Sequence, residues 1–129
     1  MTRLVFLVAL NSVLLAACAM TSGTQAQMPA SAINGVLVGP NQMTLYVFDK
    51  DAAGSGKSVW NGVGARSWRP LMGGAGSAAS GDWSVVSRDS GDKQWAYKGR
   101  PLYYWSKDAK PGDKTGDGFL HNVWRTARP

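Results

Sequence analysis

The pattern of hydrophobic positions divides the chain near residue 17. Leu4 to Ala17 is apolar apart from Asn11 and Ser12, and Arg3 places a positive charge in front of it. This length suits the apolar region of a secretory signal and falls short of the ~20 residues that cross a bilayer. The sequence therefore predicts a signal peptide over residues 1–17, outside the folded domain.

Later in the chain, short apolar runs are bounded by Gly, Pro, Asn and Asp, a pattern typical of strands. Residues 35–38 and 43–48 flank a turn at 39–42 and predict a hairpin. Residues 83–88, 93–98 and 101–106 predict a three-stranded meander. The 16 glycines, the absence of glutamate and the lack of a 3.6-residue period argue against helices. We expect an all-β domain over 33–129, with residues 73–80 (GGAGSAAS) forming a mobile loop.

One phrase occurs twice. LYVFDKD at 45–51 returns as LYYWSKD at 102–108, and the repeat extends to Lys-Ser/Thr and Trp-Arg pairs at nearly the same offset. Duplication explains such a match, because two units that cannot each bury an apolar face can bury them together. We therefore predict two β-meander halves, repeat 1 at about 35–70 and repeat 2 at about 83–129, packed as a small sandwich or barrel.

The repeated phrase also predicts which side chains share a face. Side chains alternate along a strand, so Tyr46 lies beside Phe48, and Tyr103 beside Trp105, with aliphatic or tyrosine neighbours opposite. Because both faces are apolar, we expect these strands to be covered on both sides.

Asp51 and Asp108 end the two copies. An aspartate placed just after a strand accepts backbone N–H bonds from the following turn, and we interpret both as structural caps. The alternative is a glycosidase-like carboxylate pair. We favour capping, and expect no catalytic residue, no metal site and no cofactor.

Leu15-Ala16-Ala17-Cys18 resembles the bacterial lipobox, in which the chain is cut before the cysteine and the thiol is acylated. The resemblance implies a lipid anchor on Cys18, the single cysteine. Ala19 next to it resembles the sorting pattern for the outer membrane in a host with two membranes. Residues 18–32, which lack periodicity, predict a flexible tether.

Charge indicates the kind of partner. Lys and Arg number 14 against 8 Asp, and the cations are scattered along the chain. Such a balance suits contact with anionic lipid, a cell-wall polymer or another envelope protein. We discount nucleic acid, because an exported, anchored protein seldom meets it.

Three further patterns resemble known sites. Residues 53–58 (AGSGKS) resemble the end of a phosphate-binding loop, but Asp51 occupies the first glycine position. Residues 49–54 and 113–118 resemble calcium loops without the required acids. His121 is a single histidine without a partner for a catalytic triad or metal site. We interpret all three as ordinary turns or surface.

Four tryptophans are not placed by the pattern: Trp60, Trp68, Trp95 and Trp124. Most should belong to the core, since a domain of this size without a disulfide needs large apolar side chains. An exposed cluster of two or three would instead form a candidate aromatic binding face, suited to carbohydrate.

The motifs Tyr46-x-Phe48-x-x-Asp51 and Tyr103-x-Trp105-x-x-Asp108 are similar to the Yx(F/W/Y)xxD motif of small bacterial lipoproteins and secreted repeat proteins of unknown function. The resemblance implies an envelope lipoprotein and no particular reaction. Many members carry two cysteines four residues apart after the first motif; here those positions are Trp60 and Gly64, with Trp60 expected to fill the space.

Taken together, these features predict a membrane-anchored, non-catalytic binding or scaffolding module of the cell envelope, facing the periplasm or the surface. An enzyme acting on polysaccharide through Asp51 and Asp108 is the first alternative. A purely structural lipoprotein is the second.

Overall fold

The structure is a computed structural model that describes residues 29–73 and 79–129. The signal peptide, Cys18, most of the tether and the centre of the 73–80 loop lie outside the described residues. The strands are β1 (Ser31–Ile33), β2 (Val36–Val38), β3 (Leu45–Phe48), β4 (Trp68–Pro70), β5 (Met72–Gly73), β6 (Trp83–Ser87), β7 (Lys93–Tyr97), β8 (Arg100–Trp105) and β9 (Trp124–Thr126). A 3₁₀ helix, Gly62–Arg66, and one helical turn, Phe119–Asn122, complete this part. The all-β prediction is confirmed. Within the described ranges no helix is long and apolar enough to span a membrane.

The central sheet interleaves the two repeats. β4 of repeat 1 pairs with β8 of repeat 2, β8 pairs with β3 of repeat 1, and β3 pairs with β9 of repeat 2, all antiparallel. Tyr46 lies directly opposite Tyr103 at the centre. The predicted duplication is thus built as alternating strands of one sheet, which does not close into a barrel.

Matching hydrogen bonds show an approximate twofold symmetry about that centre. Leu71 N donates to Leu102 O at 2.9 Å, and its counterpart Ala127 N donates to Leu45 O at 2.8 Å. The offsets of 56 and 57 residues are those of the sequence repeat. The duplication is therefore present in the backbone hydrogen bonds as well as in the side chains.

The other strands extend the sheet and cover it. β6, β7 and β8 form the predicted meander, and β5 pairs with β7. β1 and β2 form a separate two-stranded sheet, and β2 reaches β3 only through a bridge between Val38 and Thr44. The predicted hairpin over 35–48 is therefore looser than expected. β1 begins at Ser31, two residues before the position predicted for the start of the domain.

Each face of the central sheet carries its own core. Leu45 and Leu102 pack with Leu37, Leu71 and Trp83 on one face. The opposite face carries the aromatic cluster of Tyr46, Phe48, Trp68, Tyr103, Trp105 and Trp124. The predicted alternation and the covering of both faces are borne out, and the repeated Tyr and Asp residues are placed in the aromatic layer.

Candidate functional site

Two tyrosine–aspartate pairs cross between the repeats. Tyr46 of repeat 1 donates its hydroxyl hydrogen to Asp108 Oδ2 of repeat 2 at 2.6 Å, and Tyr103 donates to Asp51 Oδ2 at 2.6 Å. The strands are antiparallel, so the five residues after each tyrosine lead in opposite directions. The two carboxylates consequently lie at opposite ends of the β3–β8 pair.

The Asp51 pair is part of a buried hydrogen-bond chain. Arg88 donates to Ser58 Oγ at 3.1 Å, and Ser58 Oγ lies 2.5 Å from the Tyr103 hydroxyl. Since Tyr103 donates to Asp51, Ser58 donates to Tyr103. Asp51 Oδ1 also accepts the N–H of Val59 at 2.7 Å. Every member of this chain has a partner, which is the condition under which a buried polar network is stable.

Two residues of repeat 2, Arg88 and Gln94, support this hydrogen-bond chain. The Arg88 guanidinium donates to Gln94 Oε1 at 2.8 Å and to Trp60 O at 2.8 Å, and Gln94 Nε2 donates to Leu102 O at 2.7 Å. Both side chains are buried. Sequence reasoning did not select these two residues. Alternation along the strand could have indicated that Arg88 is buried, because it lies two residues after buried Val86 and so on the same face.

The Asp108 end uses different groups. Asp108 Oδ1 accepts the backbone N–H of Thr115 at 3.0 Å and its hydroxyl at 2.6 Å. The N–H of Gly116 donates to the Tyr46 hydroxyl at 3.3 Å. The repeated Lys-Ser/Thr pair therefore has a cause in both halves: its hydroxyl residue supports the local tyrosine–aspartate bond.

Burial changes the acid–base chemistry of these groups. Loss of water and the hydrogen bond to Asp108 raise the pKa of Tyr46, and loss of water and the bond to Asp51 raise the pKa of Tyr103. Burial also raises the pKa of Asp51, against the opposing effects of Tyr103, Val59 and Arg88. Both tyrosines stay protonated and act as donors.

The arrangement keeps the two carboxylates away from solvent. Asp51 is 1% exposed and Asp108 8%, each bonded to its own tyrosine. The pair does not face a common cleft, as a shared substrate would require. The structure places the six motif residues in the core, and it adds a cross-repeat bond that turn capping alone does not predict.

The four tryptophans do not form one binding face. Trp68 and Trp124 are buried and stack with ring centroids 3.9 Å apart and planes 3° apart. Their burial agrees with the expectation that most of the four belong to the core, and it leaves neither ring exposed for an aromatic binding face. Trp60 and Trp95 are partly buried and belong to different clusters, one on each side of the sheet.

Trp60 fills the position expected of it. Its ring packs at 5.1 Å from Phe48 and at 5.3 Å from Trp124. A Cβ added to Gly64 would lie 2.6 Å from the Trp60 ring, so only glycine fits beneath it. At these two positions the chain therefore has a ring packed on the bare backbone of a glycine.

The remaining candidates are turns. Gly54, within the phosphate-loop-like segment, donates its N–H to Gly99 O at 2.9 Å, and Asp113 Oδ2 accepts the N–H groups of Ala109 and Lys110. His121 is exposed in the helical turn. In the described part of the chain no three His, Cys, Asp or Glu side chains are grouped as metal ligands.

Cations gather on the leucine side of the sheet. Two depressions of about 270 and 180 Å³ share Val47 and Arg128. Their lining includes four cations, Lys98, Arg100, Arg125 and Arg128, which we call the basic surface. Asp117 is the one carboxylate in that lining, and it accepts the N–H of Thr126 at 3.0 Å.

The comparisons agree with the repeat. A family described as a secreted repeat of unknown function matches residues 31–72 and 84–128. The chain belongs to this family, with two copies of its repeat. Searches of curated proteins and of solved structures gave no match.

Proposed function

We propose that the protein is a lipid-anchored module of the cell envelope that binds an anionic envelope polymer without catalysing a reaction. The family supports export, since it is described as secreted. The observation that carries the binding role is the basic surface, where four cations line two adjoining depressions.

The excess of positive charge at the basic surface favours a polyanion over a neutral ligand. Of the basic surface, only Arg125 has a carboxylate within ion-pair distance among the described residues, Asp49 at 3.2 Å, and that pair is exposed. The four cations outnumber the two carboxylates beside them, Asp49 and Asp117, so the local charge remains positive. A polymer carrying repeated negative charges gains from several such contacts together, and salt weakens them.

The non-catalytic part of the proposal is supported by the burial of Asp51 and Asp108. Each carboxylate is bonded to a tyrosine within the core. Asp117, in the lining of the basic surface, accepts the N–H of Thr126. Of the four cations of the basic surface, only Arg125 has a basic counterpart in the other repeat, Arg69; Lys98, Arg100 and Arg128 have none.

The anchor is proposed from the lipobox-like segment. Cys18→Ser should abolish incorporation of a labelled fatty acid and release the protein from the membrane fraction. The matched control is the unchanged chain under the same labelling. Continued labelling of Cys18→Ser would show that the N-terminus was misinterpreted.

The binding role is tested with envelopes of the host, stripped of protein. The Arg100→Gln/Arg128→Gln variant should cosediment with them several-fold less than the unchanged protein, and added salt should release both. The Lys107→Gln/Lys110→Gln variant loses the same charge elsewhere on the surface and should bind nearly normally. Equal losses in the two variants would mean that total charge, and not this surface, determines binding.

A further inference from the structure

A cleft next to the β1–β2 hairpin breaks the twofold symmetry of the domain. It encloses about 320 Å³ between that hairpin, the residues before β3 and the segment 111–114. We call it the N-terminal cleft; its lining is Ile33, Asn34, Val36, Val38, Gln42, Thr44, Pro111, Gly112 and Lys114. Its volume lies at the lower end of small-molecule sites, roughly 300–1,000 Å³.

The equivalent position in the other half is closed. There Gly54 N donates to Gly99 O at 2.9 Å, and a Cβ on Gly99 would lie 2.6 Å from Gly54 N. The two backbones touch because both residues lack a side chain. The fold therefore does not require a gap at this place.

Two sequence differences keep the N-terminal cleft open. The 57-residue offset aligns Pro111 with Gly54 and Gln42 with Gly99. Proline has no N–H, so Pro111 cannot make the closing hydrogen bond. Gln42 keeps the left-handed backbone of its counterpart, φ 64° against 78°, and adds a side chain where the other half has no room for one.

Gln42 is an unusual choice for that conformation. A residue with a Cβ is disfavoured at positive φ, and glycine fills the aligned position in the other half. Strain of this kind is retained where the surroundings or the function require it. Here its visible consequence is an open cleft with an amide at the edge.

The lining has an apolar wall and a cationic rim. Ile33, Val36 and Val38 supply the wall, and Ile33 is 47% exposed. Asn34 and Gln42 supply amide groups, and Lys114 supplies the one charge in the lining. Lys114 has no carboxylate within ion-pair distance in the described residues.

The neighbouring carboxylate is occupied elsewhere. Asp113 Oδ2 accepts two backbone N–H groups of its own turn, and its carbonyl oxygen accepts the Thr44 hydroxyl at 2.7 Å. Asp113 keeps its charge, but its carboxylate is engaged by its own turn, and the groups of the lining that can donate to an anion are the Lys114 ammonium and the amides of Asn34 and Gln42.

We propose that the N-terminal cleft binds a small amphipathic anion, with a carboxylate or phosphate group at Lys114 and a short apolar body against Ile33, Val36 and Val38. The source is either a free solute or the headgroup region of an anionic lipid. This inference goes beyond polymer binding, because the surface and the ligand both differ, and it does not depend on the basic surface.

Hexyl phosphate is the probe. The full protein, held in phosphatidylcholine nanodiscs, is dialysed to equilibrium against labelled hexyl phosphate, with empty nanodiscs as the background. We expect saturable binding that Lys114→Gln weakens about tenfold, the scale of one charge-assisted hydrogen bond. Hexanol lacks the charge. Its affinity for the unchanged protein should be no higher than the affinity of hexyl phosphate for Lys114→Gln.

The duplication supplies two controls. Lys57→Gln changes the lysine aligned with Lys114 and should leave binding unchanged. Gln42→Gly/Pro111→Gly restores the residues of the closed half and should abolish binding, with circular dichroism used to verify folding. If that double variant does not fold, the comparison of Lys114→Gln with Lys57→Gln decides the matter.

Added phosphatidylglycerol in the nanodiscs distinguishes the sources, since it competes with hexyl phosphate only if a lipid headgroup reaches the cleft. The proposal is overturned if the unchanged protein shows no saturable binding. It is equally overturned if Lys57→Gln weakens binding as much as Lys114→Gln.

Discussion

The hydroxyl of Tyr46 donates a 2.6 Å hydrogen bond to Asp108, which lies 62 residues later in the other repeat. Tyr103 and Asp51 form the same bond in the opposite direction. Each copy of the motif therefore supplies a donor to the other copy and receives one from it. Within its own repeat each aspartate finds donors only for Oδ1, and its Oδ2 takes the tyrosine hydroxyl of the other copy.

Removing a tyrosine hydroxyl should destabilise the fold. Tyr46→Phe and Tyr103→Phe each leave a buried carboxylate oxygen without its donor, at a cost of about 1–3 kcal/mol in the free energy of unfolding. Urea denaturation measures this cost. Tyr104→Phe is the control, because Tyr104 makes no side-chain hydrogen bond among the described residues and should lose less than either. Equal stability of Tyr46→Phe and the unchanged protein would contradict the role of the bond.

Acidification should reduce the free-energy cost of burying the Asp51 carboxylate. Burial raises its pKa above the ordinary 3.8, so the folded state binds a proton more readily than the unfolded chain does. Stability from this group then rises as pH falls through the folded pKa, and is lost again as pH rises.

The measurement compares the unchanged protein with Asp51→Asn by urea denaturation across the acidic range. The stability of the unchanged protein relative to Asp51→Asn should increase on acidification from neutral pH. A relative decrease would mean that the pKa of Asp51 is lowered, with Arg88 and Tyr103 outweighing burial.

Trp60 and Gly64 should be energetically coupled. Gly64→Ala places a methyl group 2.6 Å from the Trp60 ring and should cost about 1–3 kcal/mol through overpacking. In a Trp60→Ala background the same change should cost far less, because the ring is gone. Thermal unfolding of the four proteins measures the coupling, and strictly additive losses would show that the two side chains do not share this space.

Neither repeat should fold alone. Because β4 pairs with β8 and β9 pairs with β3, a fragment ending at residue 73 and a fragment beginning at residue 79 each lack half of the central sheet. Circular dichroism of each fragment should show an unfolded chain, and mixing them should restore the strand signal. A folded single fragment would contradict the interleaved sheet.

Much of this fold could be predicted from the sequence. Alternation along LYVF and LYYW assigns the two faces correctly, because a strand has a period of two whatever surrounds it. The short turns of the 83–106 meander are also local signals. The pairing of β4 with β8 and of β9 with β3, across the repeats, was not predictable in this way. Pairing between strands that are distant in sequence depends on the completed sheet.

The site shows the same limit. Asp51 and Asp108 were selected from their repeated position, but their tyrosine partners lie 52 and 62 residues away. Trp68 and Trp124 repeat for a reason visible only in three dimensions, where they stack at the centre of the aromatic layer. The open cleft depends on Pro111 and Gln42, which look ordinary until the closed half provides a comparison.

The most direct test of the cross-repeat architecture is a pair of double-mutant cycles. One combines Tyr46→Phe with Asp108→Ala, across the repeats, and the other combines Tyr46→Phe with Asp51→Ala, within one repeat. Urea denaturation gives the free energies, and trimethylamine N-oxide can keep weak variants folded in both cycles alike. We expect a coupling of about 1 kcal/mol or more across the repeats and additivity within about 0.5 kcal/mol inside one. Coupling of Tyr46 to Asp51 with none to Asp108 would contradict the account.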